Sequence, residues 1–282
     1  SVVLLTNNGA LPLRKDFELI YVAGRAAADV GLQCGGWTIE WRGLPGGDIP
    51  GTHLLEAISD AVTDGTEVAY DANGQFGDAL ADVGVVVIAE PPYAEMTGDR
   101  ADLTIAPEDV DLIARMRSQC RTLVGILYTG RPLLIADQVE AFDGLVSAWL
   151  PGSEGGGIAD VLFAAADGTV RHDFTGRLSF SWPKEPTQAV LNRNDADYDA
   201  LFAYGYGLSY GDEVEVAELH LQDQLAGQAI GLRGLVGAPQ GQLAGLELAV
   251  VGFDLEPAGG GPCRPAQQSR PAVADNEPLP AR

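Results

Sequence analysis

Basic residues are scarce in this chain. Its 282 residues include 17 Lys and Arg against 40 Asp and Glu, which gives a formal net charge of -23. A polyphosphate backbone is repelled by such a surface, because binding it requires cationic side chains that replace its counterions. The charge therefore argues against nucleic acid as a partner. It suits a neutral substrate, or acidity that serves only solubility.

The spacings that hold metals are also missing. Cys34, Cys120 and Cys263 have no C-x-x-C arrangement, and the three histidines form no H-E-x-x-H pair. The odd number of cysteines also argues against a dense disulfide framework. We predict no metal site and no cofactor.

Long apolar runs are absent, so we expect no membrane-spanning segment. The start of the chain, Ser1–Thr6, lacks the basic residues and the cleavage site of a signal peptide. The compartment is not specified directly by these residues. Because Ser1 opens abruptly in an apolar run, we expect a longer parent chain.

Short apolar runs, rich in β-branched residues, alternate with amphipathic stretches through most of the chain. The runs are typical of strands buried on both faces, and they lie at 17–23, 83–89, 122–128 and 145–149. Helices are predicted between them, at 52–62, 107–118 and 157–163. This alternation predicts an α/β fold, a layered α/β sandwich with a mostly parallel sheet.

The pattern changes after Tyr210. Residues 213–219 alternate apolar and acidic side chains with a period of two, as in a half-exposed strand, whereas 257–282 are rich in proline and lack aromatic residues. We therefore divide the chain into an interdomain linker (1–16), an α/β domain (17–210), and a short β-rich C-terminal segment that ends in a Pro/Gly-rich tail (211–282).

Carboxylates follow the second predicted strand, in Glu90-Pro91-Pro92-Tyr93-Ala94-Glu95. Open α/β sheets bind ligands beyond the carboxyl ends of their strands. The double proline would stiffen this loop and hold Glu95 in a defined place, which general acid catalysis requires. On spacing alone, however, an acid in a polar loop is more often solvated or paired with a neighbour such as Arg100. Glu95 is thus a candidate acid/base with a surface role as the alternative.

Trp37 and Trp41 are separated by four positions in a glycine-flanked segment. In an extended strand they would lie about 13 Å apart, too far to face one sugar ring. On a helical turn their Cβ atoms come within about 6 Å, where the indoles could splay around a pyranose. We predict a local turn here, and the alternative is that both indoles fill the core.

A glycine-rich stretch, 152–157, precedes the last predicted helix. Such a loop can cradle an anion on free N–H groups. Because the Lys-Ser/Thr pair of phosphate loops is absent and Glu154 would repel phosphate, a tight strand-to-helix connection is favoured.

Taken together, ordered segments from Ser1 to about Tyr210 resemble the C-terminal α/β domain of glycoside hydrolase family 3, especially its exo-1,3/1,4-β-glucanases and β-glucosidases. The matching segments are 1–13, the pair Trp37 and Trp41, 90–95 with 98–100, 129–132, 148–157, 173–183 and 204–210.

The resemblance implies an exo-acting retaining β-glucosidase. In that family an N-terminal TIM-barrel domain supplies an aspartate nucleophile, and no barrel fits in this chain. Glu95 falls on the family's acid/base, Trp37 and Trp41 on the aromatic pair of the leaving-group subsite, and Glu90 on a position we interpret as structural. The implied partners are the barrel domain and a β-glucan or β-glucoside, and the implied location is extracellular or periplasmic.

Burial against the indoles and the charge of the nucleophile would have to raise the pKa of Glu95 in such an enzyme. In this chain alone we expect a more ordinary titration. Other classes stay open: a non-catalytic carbohydrate-binding or interdomain scaffold module, and a flavodoxin-like nucleotide-binding domain.

Overall fold

The computed structural model describes residues 2–46, 49–96, 98–188 and 190–212. The predicted β-rich extension and Pro/Gly-rich tail lie outside these residues from position 213 onward. The strands, numbered in chain order, are β1 (Val3–Asn7), β2 (Leu19–Ala23), β3 (Glu67–Asp71), β4 (Ala81–Ala89), β5 (Cys120–Tyr128) and β6 (Gly144–Trp149).

The helices lie between the strands. They are α1 (Val30–Cys34), α2 (Leu54–Ala61), α3 (Pro107–Gln119) and α4 (Gly155–Leu162), with short 3-10 helices at Arg25–Ala28 and Ala136–Ala141. Helix α3 begins as its sequence predicts, with Pro107 in the first turn followed by Glu108 and Asp109 near the positive end of the helix dipole. Within the described residues, no helix has both the length and the apolar character needed to cross a bilayer.

The strands form one sheet in the order β1-β6-β5-β4-β2-β3. Strands β2 to β6 pair in parallel, and β1 pairs antiparallel with β6 at one edge. The four predicted strands are β2, β4, β5 and β6, and the three predicted helices are α2, α3 and α4. The predicted α/β sandwich with a mostly parallel sheet is therefore confirmed.

Helices cover both faces of this sheet, which explains the continuous apolar runs. In β4, Val85 and Val87 pack on one face with α2 and α4, while Val86 and Ile88 pack on the other with α3. A strand buried on both faces needs apolar side chains at successive positions. The result is a three-layer sandwich.

Strands β1 and β3 were not among the predicted elements. Residues 3–7 form β1 and are largely buried, so this part of the predicted linker at 1–16 belongs to the sheet instead. Strand β3 is a half-exposed edge strand that begins and ends with an acid, so it lacks the apolar run of the central strands. A strand at the edge of a sheet is less buried, so its sequence lacks the run of apolar residues from which a strand is predicted.

The chain reverses direction across the sheet between β2 and β4. From β2 it passes outward to β3, whereas from β4 it passes the other way to β5 and β6. Connections that leave neighbouring parallel strands on opposite faces open a crevice at the carboxyl ends of those strands. The segments that follow β2 and β4 therefore line the expected ligand position.

Candidate active site

Two loops meet at this crevice. The glutamate loop (residues 90–96 and 98–100) leaves the end of β4 and carries Glu95, and the tryptophan loop (residues 35–43) follows α1 and carries Trp37 and Trp41. The structure thus brings the three predicted site residues together, although they come from different connections of the sheet.

Glycines allow the loops to touch through their backbones. A Cβ atom on Gly36 would lie 2.0 Å from the carbonyl oxygen of Tyr93, and one on Gly43 would lie 2.7 Å from Cβ of Pro92. Neither approach is open to a residue with a side chain. The glycines that flank the indoles therefore fix the distance between the tryptophan loop and the glutamate loop.

The predicted local turn is confirmed, but it is not helical. The Trp37 N–H donates to the Trp41 carbonyl over 3.0 Å, the reverse of the helical direction. Trp37 and Ile39 have φ values of 60° and 63°, in the left-handed region. The alternative that both indoles fill the core is wrong, since Trp37 is 71% and Trp41 37% exposed.

Glu95 is exposed to solvent. Its own backbone N–H and the side chains of Trp41 and Trp37 favour the ionised carboxylate and lower the pKa of Glu95 below its ordinary value, with its own N–H the largest cause. For this chain alone we expected a more ordinary titration, and a raised pKa only in a complete enzyme; in the described chain the pKa of Glu95 is instead lowered.

Arg100 does not pair with Glu95. Its guanidinium lies 3.4 Å from the carboxylate of Glu90, which is only 6% exposed. Because Ala89 pairs with Tyr128 across β4 and β5, the next residues, Glu90 and Thr129, lie side by side at the strand ends. The Thr129 hydroxyl donates to Glu90 over 2.7 Å, so Glu90 ties the base of the glutamate loop to β5.

Sequence reasoning missed two polar side chains that hold the site. Arg131 bonds to Glu90 through Nε at 3.0 Å and Nη2 at 2.9 Å. Gln33, at the end of α1, is fully buried, and its Oε1 accepts from the Leu54 N–H while its Nε2 donates to carbonyl groups. A Thr-Gly-Arg-Pro match was the signal for Arg131, whereas nothing in the sequence separated Gln33 from other helical glutamines.

The glycine-rich stretch before α4 is a tight connection, as favoured. The Gly152 N–H donates to the Gln33 carbonyl over 3.1 Å and the Gly155 N–H to the Thr52 carbonyl over 3.0 Å. A Cβ atom on Gly155 would lie 2.5 Å from that same oxygen of Thr52. These N–H groups serve the fold and are not turned toward an anion.

A cleft of about 280 Å³ lies between the two loops, lined by residues that include Gly36, Trp37, Glu90, Tyr93 and Tyr128. Its walls are mainly aromatic rings and glycine backbone, surfaces on which the C–H faces of a sugar could stack. Glu95 is exposed, and it interacts with Trp37, one of the residues that line the cleft. Fold and site together define an α/β domain with a partly aromatic cleft at the carboxyl ends of its parallel strands.

Residues 2–210 match the family model for the glycosyl hydrolase family 3 C-terminal domain. The chain belongs to glycosyl hydrolase family 3 and contains its C-terminal domain.

The chain is similar to several glycoside hydrolases. It is 31% identical over 238 residues to the lysosomal beta glucosidase of Dictyostelium discoideum, covering 74% of this chain and 28% of that protein. It is 27% identical over 267 residues to the periplasmic beta-glucosidase of Salmonella typhimurium, covering 74% and 33%. It thus spans about a third or less of the length of these relatives.

Solved structures agree with the family. The exo-1,3/1,4-beta-glucanase of a Pseudoalteromonas species is 41% identical, with a TM-score of 0.72, over 76% of this chain and 28% of that chain. A beta-glucosidase from Listeria innocua in complex with glucose has a TM-score of 0.60 at 22% identity, which supports the fold alone.

Proposed function

We propose that this chain supplies the acid/base of a retaining, exo-acting β-glucosidase, which removes glucose from the non-reducing ends of β-glucans or β-glucosides. The supporting observation is Glu95, held against Trp41 and Trp37 at the crevice where the chain reverses across the sheet. The similarity to β-glucosidases and to an exo-β-glucanase favours this substrate class.

In the proposed reaction Glu95 acts twice. As a carboxylic acid it protonates the glycosidic oxygen while an aspartate nucleophile attacks the anomeric carbon. As a carboxylate it then removes a proton from the water that hydrolyses the glycosyl-enzyme intermediate. Trp37 and Trp41 hold the sugar of the leaving group beside it. The aspartate belongs to the N-terminal TIM-barrel domain that we propose as partner.

The lowered pKa of Glu95 explains why such a partner is needed. A general acid must be protonated near working pH, whereas hydrogen bonds to the exposed carboxylate favour its ionised form. Covering the rim with a second domain would desolvate the carboxylate and add the negative charge of the nucleophile, and both changes raise its pKa. We therefore propose that this chain alone is inactive.

The proposed location is extracellular or periplasmic. β-Glucans are polymers met outside the cell, and the similar Salmonella typhimurium protein is named as periplasmic.

The test is hydrolysis of an alkyl β-glucoside by the chain joined to a family barrel domain. Glu95→Gln should lower kcat/KM by about 100- to 10,000-fold, because proton transfer is lost. Added azide should restore turnover of a dinitrophenyl β-glucoside and yield the β-glucosyl azide, since azide needs no general base. Glu56→Gln, an exposed glutamate on α2, is the matched control. Unchanged activity and pH limbs in Glu95→Gln would reject the proposal.

The second candidate is a non-catalytic carbohydrate-binding or interdomain scaffold module. The exposed, ionised Glu95 and the highly exposed Trp37 favour it, because both suit binding without proton transfer. Calorimetric titration of the chain alone with glucose and cellobiose measures such binding. Sugar binding without turnover, even when the barrel domain is present, would favour this second function.

A further inference from the structure

We propose that Arg131 is a positioning residue that holds Glu95 in the geometry for proton transfer by clamping the glutamate loop at its start, middle and end. The kinetic part of this proposal rests on the proposed function of Glu95. The structural part, a loop fixed by one guanidinium, does not depend on that function.

Arg131 contacts the loop on both sides of Glu95. Before it, Nε and Nη2 bond to the Glu90 carboxylate at 3.0 and 2.9 Å, and the guanidinium lies 4.0 Å from the centre of the Tyr93 ring. After it, Nη1 donates to the Gly98 carbonyl over 2.7 Å. The side chain of Arg131 is only 19% exposed, so these contacts are made largely away from water.

The part of the loop that carries Glu95 is a compact turn. The Gly98 N–H donates to the Ala94 carbonyl over 3.0 Å, and a Cβ atom on Gly98 would lie 2.1 Å from that same oxygen. Met96, inside the turn, has a φ of 72°. The bond from Arg131 to Gly98 therefore fixes the turn, and with it Glu95, to the end of β5.

Other contacts do not replace this bond. The start of the loop is held independently, because Thr129 also bonds to Glu90 and the Glu90 N–H donates to the Tyr128 carbonyl over 3.2 Å. Arg100 lies beyond the turn, where it bonds to the Asp102 and Thr104 carbonyls and reaches Glu90 over 3.4 Å, so its bonds hold the ends of the loop and not the turn. Loss of Arg131 would thus leave β4 and Glu90 in place while releasing the turn between Tyr93 and Gly98.

The chemistry requires arginine at this position. A planar guanidinium forms parallel bonds to a carboxylate, stacks on an aromatic face and still has a donor for a carbonyl. A lysine ammonium keeps the charge, but it is a point donor and cannot make all of these contacts. Arg131→Lys therefore removes the clamping contacts while it keeps the positive charge.

The experiment uses the chain joined to a barrel domain and compares Arg131→Lys with Arg117→Lys. Arg117 is a matched control because it closes a similar network at the opposite end of β5, bonding to Asp143, the Cys120 carbonyl and the Arg121 carbonyl. The readout is kcat/KM for an alkyl β-glucoside, which needs a proton donor, and for a dinitrophenyl β-glucoside, whose leaving group departs without one.

Arg131→Lys should lower kcat/KM for the alkyl substrate by about 10- to 100-fold, because small misplacements of a catalytic group are costly. It should lower the dinitrophenyl value much less, and Arg117→Lys should leave both values unchanged where the variants are folded. If Arg131 had a merely structural role, kcat/KM would fall equally for both substrates, in proportion to the folded fraction. That result would overturn the proposal.

A second variant and a second readout keep the test decisive. If Arg131→Lys does not fold, Tyr93→Leu removes the stacking contact and should show the same substrate split in weaker form. In the chain alone, the NMR titration of Glu95 should move toward that of an ordinary glutamate in Arg131→Lys. An active Glu95→Gln variant would reject the acid/base itself, whereas an inactive Glu95→Gln with a fully active Arg131→Lys would reject only the clamp.

Discussion

The side chain of Trp41 lowers the pKa of Glu95, so the candidate proton donor is coupled to a candidate sugar-binding side chain. Trp41 thereby influences both the proposed proton transfer and the proposed sugar binding. A sugar that draws Trp41 away from Glu95 would remove an interaction that favours the ionised acid, and so would favour its protonation.

Trp41→Phe should raise the pKa of Glu95 toward its ordinary value, because a donor to the ionised form is lost. Trp37→Phe should raise the pKa less, since the contribution of Trp37 is smaller. Carboxyl-detected NMR titration of the chain checks both changes. Since the folded pKa is lowered, the contact stabilises the fold above the ordinary pKa of glutamate, and this contribution is lost as the pH falls through the folded value. Equal titration of Glu95 in wild type and Trp41→Phe would contradict the influence of Trp41.

Gly36→Ala should separate the two loops. Its new Cβ would lie 2.0 Å from the Tyr93 carbonyl oxygen, a backbone atom that cannot move without the loop. We expect a loss of about 1–3 kcal/mol in the free energy of unfolding, together with a raised pKa of Glu95 as its indole donors withdraw. Urea denaturation and NMR titration measure the two effects.

The matched control for Gly36→Ala is Gly157→Ala. Gly157 lies in α4, and a Cβ there would meet no atom within 4 Å. Alanine in an open helical position should stabilise the chain by about 0.5–1 kcal/mol. A similar stability gain in Gly36→Ala would show that the loops do not touch as described.

The central sheet was predictable because its strands are buried on both faces, which forces unbroken apolar runs such as that of β4. Strand β3 has no such signal, since its burial is partial. At the candidate site, motif resemblance singled out Glu95, Trp37 and Trp41, but their contacts were not predictable. The turn that exposes Trp37 depends on left-handed backbone at Trp37 and Ile39, and neither residue type predicts that conformation.

Arg131 shows the same limit. Its contacts join positions 90, 93 and 98 to the end of a neighbouring strand, so they exist only once β4 and β5 are paired. A contact that depends on strand register cannot be predicted from the residues next to it in the sequence. The role of the buried Gln33 could not be predicted either, because its hydrogen-bond partners come from three other segments.

Ile39→Gly should stabilise the chain. Ile39 has a φ of 63° and is 74% exposed, so a β-branched residue occupies the left-handed region with little packing in return. Left-handed backbone costs about 1–2 kcal/mol for a residue with a Cβ. Relief of this strain, less the greater chain entropy of glycine, should give a net gain of about 0.5–1 kcal/mol. Ile39→Val, which keeps the β-branch, should give no gain, and equal stability of the two variants in urea denaturation would count against the strain.

Asp109→Asn should alter how stability depends on pH. Asp109 lies in the first turn of α3, beside a cleft it lines with Arg25 and Arg115, and desolvation raises its pKa to about 6 despite the opposing attraction of Arg25. A carboxyl whose folded pKa is raised contributes stability below its unfolded pKa, and this contribution is lost as the pH rises through about 6.

Relative to wild type, Asp109→Asn should therefore gain stability as the pH rises from about 4 to 7. The gain should approach about 2 kcal/mol, allowing for partial solvation of the carboxylate, and it should vanish at lower pH. Urea denaturation of both proteins across this range measures it. Asp167→Asn is the control of opposite sign, because hydrogen bonds from Thr169 lower the pKa of Asp167. It should lose stability at neutral pH and lose none in acid. Parallel pH curves for wild type and Asp109→Asn would show that Asp109 ionises in the folded chain as freely as in the unfolded one, which would contradict the raised pKa.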